Sequence, residues 1–541
     1  MKRRVIQEMK HRVYTGNENR EGHLEASGVS VQYHRSSAIR ERRGMRQVYN
    51  RIPVYTGDVS GVCSALYELG GMVVMHDPSG CNSTYNTHDE IRWYDRDSLI
   101  FLSGLDETDA VLGRDEKLIR DIEEAAAIYS PAFIAIANSP IPYITGLDFD
   151  AVCRVIEQDT DIPAFYIMTN GMHDYVRGAG MAFLELARRF VKSNFVKNKY
   201  IKSNFVKNKY VKSSLVKNKY VKSSLVGKGT EKRYSGGGDN PAAEKKCAGR
   251  YGVPTAEKPL RCNILGMTPL DFAAPASTES LGRKISGAGM EIVSCWAMKG
   301  AQEKSGSAPL MEIQTSASAD VNLVVSSAGL PAARYMQESF GIPYTVGIPA
   351  EGVEDVFFEA VRDAVRTGEN RFPFRDRKAL SRKSRSPLTD SDSRKVLSSP
   401  AVYLIGEPVI MTSLAASAER TAGARTHVLA ATETGTLFTG PEDRAVSGEE
   451  DLAEILRQAV ESSFKQTEDS SSGQAAGPGS GNGRPVCVIA DPCYAGILPE
   501  GCRLIPLPHL AFSGRIYLRE MKDLFSYSFL RDLSFYYGEK I

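Results

Sequence analysis

Two cysteines near the start of the chain, Cys63 and Cys81, are the residues best suited to bind a metal. Cys63 stands in the stretch GVCSALY and Cys81 in HDPSGCNS. Small residues and glycine let the backbone close around an iron–sulfur cluster and donate N–H groups to its sulfurs. A short loop is therefore expected at each cysteine. Since the pair lacks C-x₂-C spacing, two buried structural thiols are the alternative that the residues alone leave open.

The composition is that of a large globular protein. A chain of 541 residues exceeds what one hydrophobic core supports, so three or four domains are expected. Its formal net charge of +2 argues against bulk electrostatic binding to nucleic acid or a membrane surface. No apolar run reaches about 18 residues, and the first residues lack the apolar segment of a secretion signal. Nine cysteines in so long a chain do not suggest a secreted disulfide framework, so a cytoplasmic protein is expected.

Short apolar runs bounded by turn residues alternate with helical patterns, which predicts parallel strands connected by helices. Strands are expected at 71–76, 132–138, 163–168, 262–267, 290–296, 321–325, 401–407 and 485–491. The predicted fold class is α/β, with three Rossmann-like domains built on parallel sheets, plus low-complexity insertions. The predicted order is a polar basic arm (1–50), a first α/β domain with the cluster cysteines (51–190), a lysine-rich insertion (191–260), a second α/β domain (261–375), a linker (376–398) and a third α/β domain (399–541) containing a Ser/Gly insertion (466–484).

Residues 191–226 contain a ten-residue repeat, VKSNFVKNKY, in near-identical copies. The repeat is rich in lysine, contains no acidic residue and matches no known solenoid period. An inert insertion is expected, with binding of an acidic partner as the alternative.

Four further stretches follow one another in the order and spacing of a known family. They are FLSGLDETDAVLGRDEKL at 101–118, NSPIPYITGLDFD at 138–150, NLVV at 322–325 followed by FGIPY at 340–344, and LPHLAFSGR at 507–515. In these stretches the chain resembles the nitrogenase component 1 family. The resemblance implies a paired two-subunit assembly that receives electrons from an ATP-dependent iron–sulfur reductase. It also implies an intersubunit iron–sulfur cluster, expected to be [4Fe–4S], held by Cys63 and Cys81.

The sequence departs from the family at the third cluster cysteine, where Ser139 stands. Its hydroxyl oxygen is either an iron ligand or an ordinary loop group. With two thiolates per chain, the four that a cubane cluster takes require a second chain, either identical or homologous. Cys153 could substitute for the missing ligand, but its apolar helical surroundings favour a core residue. Cys295 matches no ligand role, and Cys487, Cys493 and Cys502 are expected to be core residues.

A second departure concerns the cofactor that nitrogenase proper binds through one Cys and one His. The resemblance places Ser326 or Ser327 at the position of that Cys, and His509 at the position of that His. Loss of the Cys argues against dinitrogen reduction and leaves a second cofactor unidentified. His509 and Asp77 are candidates for proton supply. His76, beside the Cys81 loop, is expected to tune the cluster through a hydrogen bond or to cap backbone.

The sequence therefore predicts an oxidoreductase subunit that passes electrons through the intersubunit cluster to an unidentified substrate. Two alternatives remain open, a scaffold that holds a metallocluster during its assembly and a degenerate homologue that has lost its cluster. Retention of both Cys63 and Cys81 counts against the last.

Overall fold

The computed structural model describes residues 54–78, 90–94, 98–195, 258–298, 309–377, 401–433, 440, 443–470 and 485–528. Several predicted features lie outside these ranges: Cys81, the arm 1–50, the lysine-rich segment from residue 196 to residue 257, and residues 378–398 of the linker. Within the described residues, no helix has the length and hydropathy needed to cross a membrane.

The first sheet has four parallel strands in the order β2-β1-β3-β4. They are β1 (Met72–His76), β2 (Leu99–Leu102), β3 (Ile134–Asn138) and β4 (Ala164–Ile167). Its helices are α1 (Asp58–Leu66), α2 (Glu107–Leu112), α3 (Glu116–Tyr129), α4 (Pro140–Thr145), α5 (Phe149–Thr160) and α6 (Tyr175–Phe190). The central strands β1 and β3 are buried along their whole length, as strands covered on both faces should be.

The second sheet is also parallel, in the order β6-β5-β7-β8. Its strands are β5 (Leu260–Leu265), β6 (Met290–Cys295), β7 (Val321–Val324) and β8 (Tyr344–Val346), and its helices are α7 (Ser277–Gly287), α8 (Pro309–Thr315), α9 (Leu330–Phe340) and α10 (Glu354–Thr367). The helix α9 ends at Gly341, whose φ of 66° is the left-handed conformation that glycine adopts most easily.

The third sheet has five parallel strands in the order β11-β10-β9-β12-β13. Its strands are β9 (Ala401–Gly406), β10 (Arg425–Ala430), β11 (Arg444–Ala445), β12 (Val486–Ala490) and β13 (Cys502–Pro506), and its helices are α11 (Pro408–Ala422), α12 (Glu449–Ser470) and α13 (Leu510–Ser513). Because α12 continues to Ser470, the first residues of the predicted insertion 466–484 are helical, and 471–484 lie outside the described ranges.

Three parallel sheets with connecting helices confirm the predicted α/β class. Each predicted strand is found, with its ends shifted by at most two residues. In each sheet the strand order reverses once, between β1 and β3, between β5 and β7, and between β9 and β12. The carboxyl ends of strands at such a switch point are where open α/β sheets bind ligands. The exact domain boundaries stay predictions.

Helix α6 packs between α1 of the first sheet and α9 of the second. Two glycines allow α1 and α6 to approach closely. A methyl group at Gly61 would overlap the carbonyl oxygen of Tyr175, and one at Gly178 would overlap the carbonyl oxygen of Asp58. The helix that carries Cys63 is therefore positioned by backbone contact.

Candidate functional site

Cys63 lies within helix α1, so the loop predicted at this cysteine is wrong. Gly61 and Ser64 weaken the helical signal in the sequence. Packing against α6 nevertheless requires a small residue at position 61, and this contact overrides local propensity. The Cys63 side chain is fully buried. Burial, followed by the nearby charge of Glu90, raises the pKa of this thiol far above its ordinary value, so the free thiol is neutral.

A buried ion cluster beside Cys63 was not predicted from the sequence. The guanidinium of Arg92 contacts Glu90 twice, at 2.7 Å from Nε to Oε1 and 2.8 Å from Nη2 to Oε2. Its Nη1 lies 3.1 Å from Oε1 of Glu68, and Nη2 donates to the carbonyl oxygen of Ser64 on α1. Residues 90–94, which follow the segment containing Cys81, are thus held against the helix of Cys63.

Two other predicted site residues, the proton-supply candidate Asp77 and the candidate ligand Ser139, lie at the switch point of the first sheet. Asp77 follows β1, Ser139 follows β3, and the Ser139 N–H donates to the carbonyl oxygen of His76 at 3.2 Å. Helix α1 packs against both strands. Among the described residues, three buried oxygens at this point have no hydrogen-bond partner: Asp77 Oδ2, Asn138 Oδ1 and Ser139 Oγ. Buried polar atoms are nearly always satisfied, so these oxygens need a partner beyond the described residues, whether water, a ligand or another part of the chain.

His76 contacts the Ser103 side chain rather than capping backbone with its ring. Its Nδ1 lies 2.8 Å from Ser103 Oγ, which also accepts the Asp77 N–H at 3.1 Å. Burial lowers the pKa of His76 to about 4, against a smaller opposing effect of Asp77. The imidazole is therefore uncharged at pH 7.

His509, the second candidate for proton supply, lies elsewhere, where the switch points of the second and third sheets meet. Its Nε2 is 3.2 Å from Asp271 Oδ1, and its backbone N–H donates to Asp491 Oδ2 at 2.8 Å. Asp271 also accepts the hydroxyl of Tyr175 from α6 at 2.5 Å. We call this group, with Ser327 and Glu407, the junction.

Ser327 and Glu407 complete the junction from the second and third sheets. Glu407 Oε1 accepts both the N–H of Ser327, at 3.0 Å, and its hydroxyl. Glu407 Oε2 accepts the N–H of Ile410 at 2.9 Å, which caps helix α11. Burial, together with the charge of Asp271, raises the pKa of Glu407 to about 7.

The other cysteines lie in separate parts of the fold. Cys153 on α5, Cys262 on β5 and Cys487 on β12 are buried, whereas Cys295, Cys493 and Cys502 are partly exposed. Burial raises the pKa of Cys153 to about 12. Across the described part of the chain, no three His, Cys, Asp or Glu side chains converge in a geometry that could hold a metal ion.

The start of α6 joins the first sheet to a residue that follows β10. Asp174 Oδ1 caps the helix by accepting the N–H of Val176 at 3.1 Å, while its Oδ2 accepts the N–H of Glu433 at 2.7 Å. His173 Nδ1 lies 2.9 Å from Glu433 Oε2. Burial raises the pKa of Asp174 to about 6, and the charge of Glu433 adds to this effect.

The raised pKa of Asp174 predicts a pH dependence of folding stability. The folded protein retains this proton to higher pH than the unfolded chain, whose ordinary value is 3.8. The stability of the protein relative to an Asp174→Asn variant should therefore fall as pH rises from about 4 to about 6, by up to about 3 kcal/mol, and then level off. Urea unfolding of both proteins across this range measures the difference. A constant difference would contradict the assignment.

Comparison with known proteins identifies the family of the chain. A model of the family "Nitrogenase component 1 type Oxidoreductase" matches residues 61–462. The chain belongs to this family. The "Nitrogenase iron-molybdenum cofactor biosynthesis protein NifE" of Klebsiella pneumoniae is 29% identical to it over 110 residues, which are 18% of this chain and 22% of that protein. The chain thus matches only about a fifth of the length of that curated relative.

The chain is also similar to chains of two solved nitrogenase structures. A chain of "Nitrogenase Cp1 at pH 6.5" is 12% identical, with a TM-score of 0.48, over 86% of this chain and 87% of that chain. A chain of "Nitrogenase Cp1 at pH 5" is 15% identical, with a TM-score of 0.42, over 76% and 72%. The predicted membership of the nitrogenase component 1 family is confirmed by the family match.

Proposed function

We propose that the chain is a nitrogenase component 1-like oxidoreductase subunit that accepts low-potential electrons from an ATP-dependent iron–sulfur reductase. The electrons would pass through an intersubunit cluster at the carboxyl edge of the first sheet to a substrate other than dinitrogen. Family membership over residues 61–462 supports this class of chemistry. The observation that carries the proposal is the packing of the helix of Cys63 against β1 and β3, whose carboxyl ends form the switch point of the first sheet.

Helix α1, which packs at this edge, carries a thiol, the group that iron–sulfur clusters bind. Cys63 and Cys81 would hold the cluster, with further thiolates from a homologous subunit or a second copy, and the bound cluster would supply one-electron transfer. Iron binds thiolate, so binding would displace the proton that burial keeps on Cys63. Ser139 Oγ has no hydrogen-bond partner among the described residues and could bind or hydrogen-bond the cluster at the same edge. His76 adds no charge there, because its ring is neutral.

We propose that Asp77 supplies protons at this edge. His509, at the junction of the second and third sheets, is the second candidate for proton supply. Asp77 Oδ2 is buried without a partner among the described residues, so it is available to an adjacent group. We further propose a cytoplasmic protein without nucleic-acid or membrane partners, in line with its formal net charge of +2.

The test is iron and sulfide analysis with EPR after anaerobic purification, on the wild type and on Cys63→Ser and Cys81→Ser variants. We expect about four irons per pair of chains in the wild type and loss of nearly all iron in either variant. The matched control is Cys153→Ser, since Cys153 is also a buried thiol of the first sheet but lies on α5. Folded wild-type protein without iron, or full iron in Cys63→Ser, would overturn the proposal.

A metallocluster scaffold is the second candidate, favoured by the match to a cofactor biosynthesis protein. The two functions differ in turnover. An oxidoreductase subunit, working with its reductase partner, would consume electrons and ATP in proportion to the product formed. A scaffold would release its metal to an acceptor protein without net reduction. Incubation of iron-loaded protein with reductase, ATP and a chelating acceptor, followed by iron counting and ATP analysis, separates them.

A further inference from the structure

The junction occupies the position that the family resemblance assigns to a second cofactor, whose ligands would correspond to Ser326 or Ser327 and His509. In this chain the two serines are already engaged. Ser327 gives both its N–H and its hydroxyl to Glu407 Oε1, and Ser326 Oγ accepts the N–H of Ala328 at 3.4 Å. His509 Nε2 lies 3.2 Å from Asp271 Oδ1 but not in hydrogen-bond geometry, and neither ring nitrogen of His509 has a hydrogen-bond partner among the described residues.

The charge of the junction is also unsuited to a sulfide-bridged cluster. Three carboxyl groups converge there, on Asp271, Glu407 and Asp491, and these residues are 4%, 0% and 2% exposed. Among the described residues, no lysine or arginine forms an ion pair with any of the three. Burial and the charge of Asp271 already raise the pKa of Glu407 to about 7, so the junction disfavours further negative charge, and the sulfide and thiolate of a cluster would add to it.

Little room remains for such a group. The cavity beside Asp271 and His509 has a volume of about 10 Å³, which is enough for one water molecule. On the second sheet, backbone contact closes the switch point, because a Cβ at Gly266 would lie 2.9 Å from the carbonyl oxygen of Ser326. A multi-atom cofactor would have to displace backbone.

We infer that the junction is closed to a second metal cofactor and acts as a carboxyl lock that fixes the second and third sheets to each other and to helix α6. The Ser327–Glu407 and His509–Asp271 contacts join the second and third sheets, and the Tyr175–Asp271 hydrogen bond joins α6 to them. All metal would then sit at the edge of the first sheet. The statement that metal binds at the first sheet rests on the proposed function, whereas the closed junction does not.

The first test counts metal in the whole protein after anaerobic reconstitution with ferrous iron and sulfide. His509→Ala and Ser327→Ala should retain the iron content and EPR spectrum of the wild type, while Cys63→Ser should contain none. Iron that persists in Cys63→Ser and disappears when His509→Ala is added would overturn the inference. Wild-type protein without any iron would defeat the proposed function and agree with a closed junction.

The second test measures the lock by hydrogen exchange, which does not depend on metal. Glu407→Gln should accelerate amide exchange at least tenfold in both 407–413 and 326–333, because the carboxylate joins these segments from different sheets. Asp355→Asn, at an exposed carboxylate, is the control and should leave both segments unchanged. Acceleration confined to 407–413 would show a helix cap only and overturn the lock.

Discussion

Gly178→Ala is expected to destabilise the protein by about 2–3 kcal/mol, which is at the upper end of the usual cost of overpacking. The added methyl group would overlap the carbonyl oxygen of Asp58, a backbone atom that no side-chain rotation can move. Helix α1 would have to shift away from α6, and Cys63 would shift with it. Urea unfolding measures the loss of stability, and iron content measures the consequence for the proposed cluster.

The matched control is Gly282→Ala on helix α7, where a Cβ would meet no atom within 4 Å. Removing a helical glycine from open space should stabilise the protein by about 0.5–1 kcal/mol. If both substitutions changed stability by the same amount, the close approach of α1 and α6 would have no energetic importance.

Arg377→Met is the second substitution with a large expected effect, a loss of about 3–5 kcal/mol. Two nitrogens of the Arg377 guanidinium, Nη1 and Nη2, each lie 2.7 Å from an oxygen of Asp443, and Nε lies 3.0 Å from Glu419. The Asp443 side chain is fully buried, so loss of the arginine leaves a carboxylate without its cation. Thermal or urea unfolding is the measurement.

An exposed ion pair of the same geometry provides the comparison. Arg420 contacts both oxygens of Asp355, at 2.5 and 2.8 Å, but the Asp355 side chain is 66% exposed. Arg420→Met should therefore cost less than about 1 kcal/mol. A similar loss in the two variants would mean that burial does not set the strength of these pairs.

The central strands were predictable because each is a short, mostly apolar run between turn residues, whereas β2, β8, β10, β11 and β13 were not predicted, and β10, β11 and β13 carry exposed or charged residues that obscure the pattern. The predicted strand Val486–Ala490, by contrast, is buried at every position. Helix α1 was missed because its glycine is explained only by a partner more than 100 residues away, at Tyr175. Local propensity contains no information about such a contact.

The candidate site was predictable only in part. The position of Ser139 and Asp77 at one switch point follows from strand order, and His509 was named without its partners. Asp271 and Glu407 were missed because a single carboxylate after a strand carries little signal. One clue was available, since Glu407 and Asp491 each directly follow a buried strand of the third sheet. The sequence contained no clue to the Glu90–Arg92 pair, because the pair is defined by the contacts that Arg92 makes with Ser64 and Glu68.

Three successive residues at the start of α6 contact the rest of the molecule. His173 and Asp174 hold Glu433, and Tyr175 holds Asp271, while Gly178, one turn further on, touches the helix of Cys63. Because these residues lie within about one helical turn, a shift that breaks one of the contacts would also displace the others. The three sheets should consequently unfold as one cooperative unit rather than in succession, although each resembles a domain that could fold alone.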